Sequence, residues 1–195
     1  MYVIGLTGGV GSGKTAAAGK LAELADAELL IADELGHLVM EKGRKGYHEI
    51  VGKFGSNILD GQGEIDRKKL AELVFANAGR LEQLNQIIHP AVKSYLKDYI
   101  DNRKAQEGIL VLETAIMFET GCDELCDEVW YVYVPSGIRM ERLAANRGYS
   151  EGKSQAIMEK QLGEEEFRKR CKRELWNGGS MQELEEEIKK LLMVF

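Results

Sequence analysis

Proline and cysteine are scarce in this 195-residue chain, with two and three copies respectively, and there are only three histidines and two tryptophans. No internal repeat, low-complexity tract or linker is visible, so the length reads as one compact domain, or one domain carrying a sizeable insertion. The cysteines, Cys122, Cys126 and Cys171, form no C-x-x-C pair and cannot all pair with one another. A reduced, cytoplasmic protein is the simplest expectation. Cys122 and Cys126 are spaced to share a helix face, but no histidine or further cysteine completes a zinc set. A basic surplus is also missing. Lysine plus arginine number 26 against 32 acids, a net charge of −6, which argues against a general nucleic-acid binder. No apolar run approaches the length of a membrane span, and Met1 runs straight into a strand-like segment, so neither a membrane anchor nor a leader is expected.

What is present is more specific. Residues 8–15 read Gly-Gly-Val-Gly-Ser-Gly-Lys-Thr, a complete G-x-x-x-x-G-K-[ST] loop. Strand formers Tyr2, Val3, Ile4 and Leu6 precede it, and Ala16, Ala17, Ala18, Leu21 and Leu24 continue as a helix. That strand–loop–helix context is what the motif requires. Glycines can take positive φ and bring backbone N–H groups close to an anion. The stretch Gly11, Ser12, Gly13, Lys14, Thr15 and Ala16 therefore predicts a cradle for a nucleoside triphosphate. Lys14 supplies a point charge toward the β and γ phosphates, and Thr15 a hydroxyl for Mg²⁺.

Further apolar stretches at Glu28 to Ala32, Ile109 to Leu112 and Glu128 to Val134 read as strands of a buried parallel sheet, with a weaker fifth at Glu174 to Trp176. Ligands of open α/β sheets bind beyond the carboxyl ends of the strands. Asp33 and Glu113, each at such an end, are thus expected to point toward the crevice of Lys14. Between the second and third strands lie about 75 residues, far more than one crossover helix needs. Leu70, Leu73 and Val74 repeat at helical spacing, as do Leu81, Leu84, Ile87, Ile88, Val92, Tyr95, Leu96 and Tyr99. His89-Pro90 interrupts the second run, and proline there predicts a kinked or split helix. Ser180-Met181-Gln182-Glu183 has capping-box spacing ahead of Leu184, Ile188, Leu191 and Leu192.

Several side chains admit two readings. Asp33 suits a helix N-cap, and equally a carboxylate that accepts or orients the proton of an acceptor hydroxyl. A carboxylate is a weak base toward an alcohol, so proton transfer would come late and aiming the oxygen would matter more. Glu113 is either a polar strand-end residue or, through a water, a holder of Mg²⁺ opposite Thr15. Arg139 and Arg142 share a helix face, and Arg142 is the better candidate to neutralise a transferring phosphoryl group. Arg147, just before Gly148, also fits a helix C-terminus. Tyr149 to Ser154 is polar and glycine-containing, as a closing lid would be. His89 reads as structural rather than catalytic, and Trp176 followed by Asn177-Gly178-Gly179 reads as a turn or as a contact to the nucleotide base.

Taken together, Leu6 to Thr15, Ala32-Asp33, Gly63-Glu64-Ile65-Asp66-Arg67, Phe75, His89-Pro90, Phe118-Glu119, Val132 to Pro135, Arg142-Leu143, Arg147, Gln161 and Asn177 resemble the dephospho-CoA kinase family over nearly the whole chain. The resemblance implies an α/β, three-layer fold of the P-loop nucleotide-kinase type. It would have a parallel five-stranded sheet, a helical substrate-binding insertion and a lid. Residues 1–33, 108–136 and 174–195 would form the nucleotide-binding core, 34–107 the helical acceptor-binding insertion, and 137–173 the lid region. The implied substrates are ATP with Mg²⁺ and dephospho-CoA, phosphorylated on the ribose 3′-hydroxyl. Asp33 would be the acceptor-side carboxylate, Lys14 and Thr15 the phosphate and Mg²⁺ residues, and Arg142 the lid arginine. Arg147 and Asn177 would lie near the ATP base, with His89 close to the acceptor. A cytoplasmic protein without nucleic-acid or membrane partners, monomeric or weakly self-associating, is expected. The alternatives are a kinase of another small alcohol, such as a nucleoside or sugar, and a weak nucleotide-binding homologue. The chain departs from the family pattern at Ile31, where an aspartate is usual. It departs also at Glu113 and Ala115, where Asp and Pro stand, at Arg139, where Gln stands, and at Lys172, near a position often held by Asp.

Overall fold

The computed structural model describes residues 1–194 and falls into two compact units, one of residues 1–31 with 103–195 and the other of 32–102. The first unit is built on five parallel strands: β1 (Tyr2–Thr7), β2 (Glu28–Ile31), β3 (Ile109–Glu113), β4 (Glu128–Tyr133) and β5 (Arg173–Trp176). Their order across the sheet is β2-β3-β1-β4-β5. The chain thus leaves β1 to one side for β2 and β3 and returns to its other side for β4 and β5. This reversal places the ligand crevice of such a sheet at the carboxyl end of β1.

Helices cover both faces of the sheet. On one, Ile4, Leu6, Val111, Trp130, Val132 and Leu175 pack against Ala17, Ala18 and Leu21 of α1 (Lys14–Leu24) and Leu184 and Ile188 of α9 (Met181–Leu192). The capping box at the start of α9 forms as its spacing predicts: Ser180 accepts from the Glu183 N–H and Glu183 from the Ser180 N–H. On the other face Tyr131 stacks on Phe167 of α8 (Glu164–Arg170), with ring centroids 4.7 Å apart. Alternate β4 residues thus serve opposite layers, which is why Val129 to Tyr133 reads as apolar throughout.

Trp130 is fully buried and donates its indole N–H to Glu128 at 2.6 Å. Burial of the Glu128 carboxylate pushes its pKa upward, but Lys172, Arg173 and Trp130 outweigh that and hold it below the ordinary range. Lys172 stands 2.9 Å from this carboxylate. Trp130→Ala would empty the middle of the sheet and cost about 3–5 kcal/mol, read as a fall in the urea midpoint at constant slope.

The second unit holds α2 (Ala32–Leu38), α3 (Lys45–Phe54), α4 (Arg67–Phe75) and α5 (Ala78–Asp101). Its core joins Ile50, Ile58, Leu70, Val74 and Leu84. Asp66 caps α4 by accepting from the Lys68 and Lys69 N–H groups. Two sequence expectations are corrected here. Pro90 does not split α5, which runs unbroken over 24 residues. Proline removes one backbone hydrogen bond at a cost of about 3 kcal/mol, and burial of Leu84, Val92 and Leu96 along the same helix offsets it. Asp33 is not an N-cap, because α2 already starts at Ala32 and puts Asp33 in its first turn, where a carboxylate complements the helix dipole. The strand before it accordingly ends at Ile31, one residue earlier than its apolar run suggests.

The segment 137–173 belongs to the unit of the sheet. It contains α6 (Ser136–Arg147) and α7 (Glu151–Met158), the latter capped by Ser150. Most of the polar stretch Tyr149 to Ser154 forms the start of α7. Burial pushes the thiols of Cys126 and Cys171 up to about 12, so both stay protonated at neutral pH.

Candidate active site

The loop after β1 turns through Gly11 at φ +79° and Gly13 at φ +75°, a region that side chains rarely tolerate. Gly13 then starts α1 with no side-chain cap and no acid in the first turn. A helix N-terminus left in this state presents backbone N–H groups and the positive end of its dipole, and Lys14, Thr15 and Ala16 supply those groups here. Lys14 folds back to donate from Nζ to the Gly9 carbonyl at 3.2 Å. The cradle is thus shaped for the phosphate chain of a nucleotide before any ligand arrives.

Glu113, the last residue of β3, is 4% exposed, and its Oε2 accepts from Thr15 Oγ1 at 3.3 Å. A strand end and the first turn of α1 therefore bring a carboxylate and a hydroxyl together, two hard oxygen donors of the kind Mg²⁺ takes while keeping its own waters and substrate phosphates. Among the described residues no cluster of three or more acids, histidines or cysteines forms a self-sufficient metal cage, and Mg²⁺ with a nucleotide does not need one.

Three side chains brace the loop from behind. Asn177, buried just past β5, donates from Nδ2 to the Ser12 carbonyl at 2.8 Å. A Cβ on Gly13 would stand 2.6 Å from that nitrogen, so the approach requires glycine. Gln161 accepts from the Val10 N–H at 2.7 Å, and Arg139 donates from Nε to the Val10 carbonyl at 2.8 Å. Arg139 and Gln161 gave no local sign of this role: they stand 129 and 151 residues from Val10 in sequence.

Arg142, half-buried one turn along α6, places a guanidinium nitrogen 3.7 Å from where a Gly13 Cβ would sit, beside the cradle. Arg147 lies in the exposed last turn of α6, which Gly148 closes in the left-handed conformation. Trp176, at the end of β5, packs beside Tyr133 with centroids 5.7 Å apart, and a Cβ on Gly178 would strike its ring at 2.3 Å.

Asp33 and His89 belong to the helical unit. Asp33 is exposed in α2, two residues beyond the end of β2, whose Ile31 registers with Glu113 on β3. His89 is half-buried in the middle of α5. One turn after Asp33, His37 lines a cavity of about 150 Å³ with Met40, Glu41, Glu64, Ile65 and Arg67. A larger cavity of about 260 Å³ is lined by Arg44, Lys45, Glu49, Ser94, Tyr95 and Asp98 among others.

A parallel sheet of this order with a nucleotide cradle at the end of β1 defines a P-loop phosphotransferase of the small-molecule kinase type. The fold is shared with shikimate kinase from Acinetobacter baumannii, at a TM-score of 0.57 and 20% identity over 100% of this chain and 94% of that one. The dephospho-CoA kinase family model matches residues 2–183, and the chain belongs to that family. It is 36% identical to the dephospho-CoA kinase of Carboxydothermus hydrogenoformans over 97% of this chain and 92% of that protein. The dephospho-CoA kinase of Aquifex aeolicus is 37% identical over 98% and 96%. Among solved structures, a Thermus thermophilus protein superimposes at a TM-score of 0.76 with 30% identity, covering 100% of this chain and 97% of that one.

Proposed function

We infer that this chain transfers the γ-phosphoryl group of ATP to the ribose 3′-hydroxyl of dephospho-CoA, giving coenzyme A and ADP. The observation that carries the reading is the phosphate cradle at the end of β1, with Thr15 and Glu113 joined beside it, in a chain of this family. The backbone N–H groups of Lys14, Thr15 and Ala16, with the Lys14 ammonium, hold the phosphate chain and take up charge as the γ-group leaves. Thr15 and, through a water, Glu113 would hold Mg²⁺, which would supply positive charge to the polyphosphate. Arg142, with its guanidinium beside Gly13, contributes further positive charge.

Asp33 orients the acceptor hydroxyl and takes its proton late in the transfer. Support for that role comes from its place in the chain, directly beyond β2 and on the same turn-related face of α2 as His37. The helical unit, with its two cavities, would take the acceptor, His89 contributing to that surface, and Arg147 and Asn177 would serve the nucleotide side. Three free cysteines suit action in the reducing cytoplasm.

Glu113→Gln keeps the shape of the side chain and removes its charge. The Mg²⁺ concentration for half-maximal activity should rise about tenfold with kcat at saturating Mg²⁺ largely restored. An ADP-release assay with dephospho-CoA, a nucleoside, a sugar and shikimate as acceptors tests the substrate. Release stimulated by dephospho-CoA alone is expected, and equal or greater stimulation by another alcohol would refute the assignment.

A further inference from the structure

Arg139 combines three features that the reaction as described does not use. It is only 8% exposed, it touches the phosphate loop directly, and it carries a permanent positive charge. Its Nε donates to the Val10 carbonyl at 2.8 Å, and its Nη2 lies 3.5 Å from the Gln161 oxygen that accepts from the Val10 N–H. The guanidinium lies flat against Gly9: a Cβ there would fall 2.4 Å from Nη2 and 2.5 Å from Cζ. The Arg139 carbonyl in turn limits Gly11, whose Cβ would stand 2.9 Å from it.

Part of the loop, from Gly9 to Gly11, is thus moulded around this side chain. Hydrogen bonding alone does not require a cation there, since a neutral carboxamide can donate to the same carbonyl. The charge therefore needs its own explanation. Buried cations are ordinarily paired with a carboxylate, and among the described residues none stands within ion-pair distance of Arg139. Glu164, whose field reaches it, is engaged with Arg168 at 3.4 Å. Burial accordingly pulls the guanidinium below its usual pKa range, the mark of a cation held at a solvation cost, yet arginine stays charged at any working pH.

We propose that Arg139 is a positioning residue of the phosphate loop whose buried charge takes the nucleotide's phosphates as its counterion. The cost of burying it in the empty protein is recovered when the polyphosphate enters the loop, so affinity grows with the number of phosphate charges. The proposal rests on the nucleotide-binding reading above, and deepens it by assigning discrimination of ATP from ADP to a residue behind the cradle.

The test compares wild type, R139Q and R139K by titration with Mg-ATP and Mg-ADP, together with thermal midpoints of the empty proteins. R139Q keeps a donor for Val10 and removes the charge; R139K keeps the charge. We expect R139Q to bind ATP about tenfold and ADP about threefold more weakly, with the empty protein unfolding at the same or a higher temperature. R139K should remain within about threefold of wild type for ATP. A structural prop alone would predict a lowered midpoint in R139Q and equal losses for ATP and ADP, and that pattern overturns the proposal, as does ATP affinity unchanged in R139Q. A wild-type protein that fails to bind ATP at all would overturn the nucleotide reading itself and this inference with it.

Discussion

Replacing Asp33 by asparagine is expected to lower turnover about 10²- to 10⁴-fold, with the dissociation constant for ATP changed by less than about threefold. Asparagine matches aspartate in volume, but it cannot accept a proton and presents a donor where the hydroxyl needs an acceptor. Asp33 sits in the first turn of α2, so its charge also complements the helix dipole, a contribution of about 0.3–1 kcal/mol at an exposed site. That loss is too small to unfold the helical unit, and circular dichroism should be unchanged. Because the residue lies in a different compact unit from Lys14, the cradle itself should be untouched. Steady-state kinetics paired with ATP titration separates the effects. Unaltered turnover in D33N would remove Asp33 from the mechanism, and lost ATP binding would recast it as a nucleotide ligand.

Lys14→Ala should show the opposite division. Its ammonium is a point charge of the cradle and donates to the Gly9 carbonyl at 3.2 Å. Truncation removes a charge-assisted contact to the phosphates and a tie across the loop. A fall in kcat/KM for ATP of about 10²- to 10³-fold is expected, with ADP affinity reduced as well. The fold should survive, since Gly11, Gly13, Asn177, Gln161 and Arg139 still shape the loop. A variant that binds ATP as tightly as wild type would show that backbone N–H groups alone hold the nucleotide. Lys14→Arg should not rescue it, because a planar fork does not replace a compact point charge.

The contrast between the two variants follows how much of each unit the sequence made legible. The phosphate loop and its flanks are written locally: strand formers, glycines where φ must be positive, then alanines and leucines of α1. The capping box of α9 is likewise a four-residue signal. Where local and long-range forces compete, the pattern misled. Pro90 is a helix breaker by its own chemistry, yet burial of Leu84, Val92 and Leu96 carries α5 through it. Ala32 ends an apolar run and reads as strand, but pairing with β3 stops at Ile31 and the helix begins at once. The bracing of the loop has no local signal. Asn177 stands 165 residues from Ser12, and no periodicity links them. Only the fold brings the ends of β4 and β5 to the carboxyl end of β1.

The same asymmetry applies to the positions where other residues are expected from the sequence resemblance. Glu113 has its carboxylate in hydrogen-bonding reach of Thr15. Lys172 is absorbed by the buried Glu128 carboxylate at the far end of β4. Arg139 alone changes the charge at the loop.

The most direct test of the central claim is to locate the transferred phosphoryl group. Incubation with ATP, Mg²⁺ and dephospho-CoA, followed by mass spectrometry and phosphorus NMR of the product, should show one added phosphate on the ribose 3′-oxygen and one ADP per product formed. Phosphate on any other oxygen, or ADP formed at the same rate without dephospho-CoA, would contradict it.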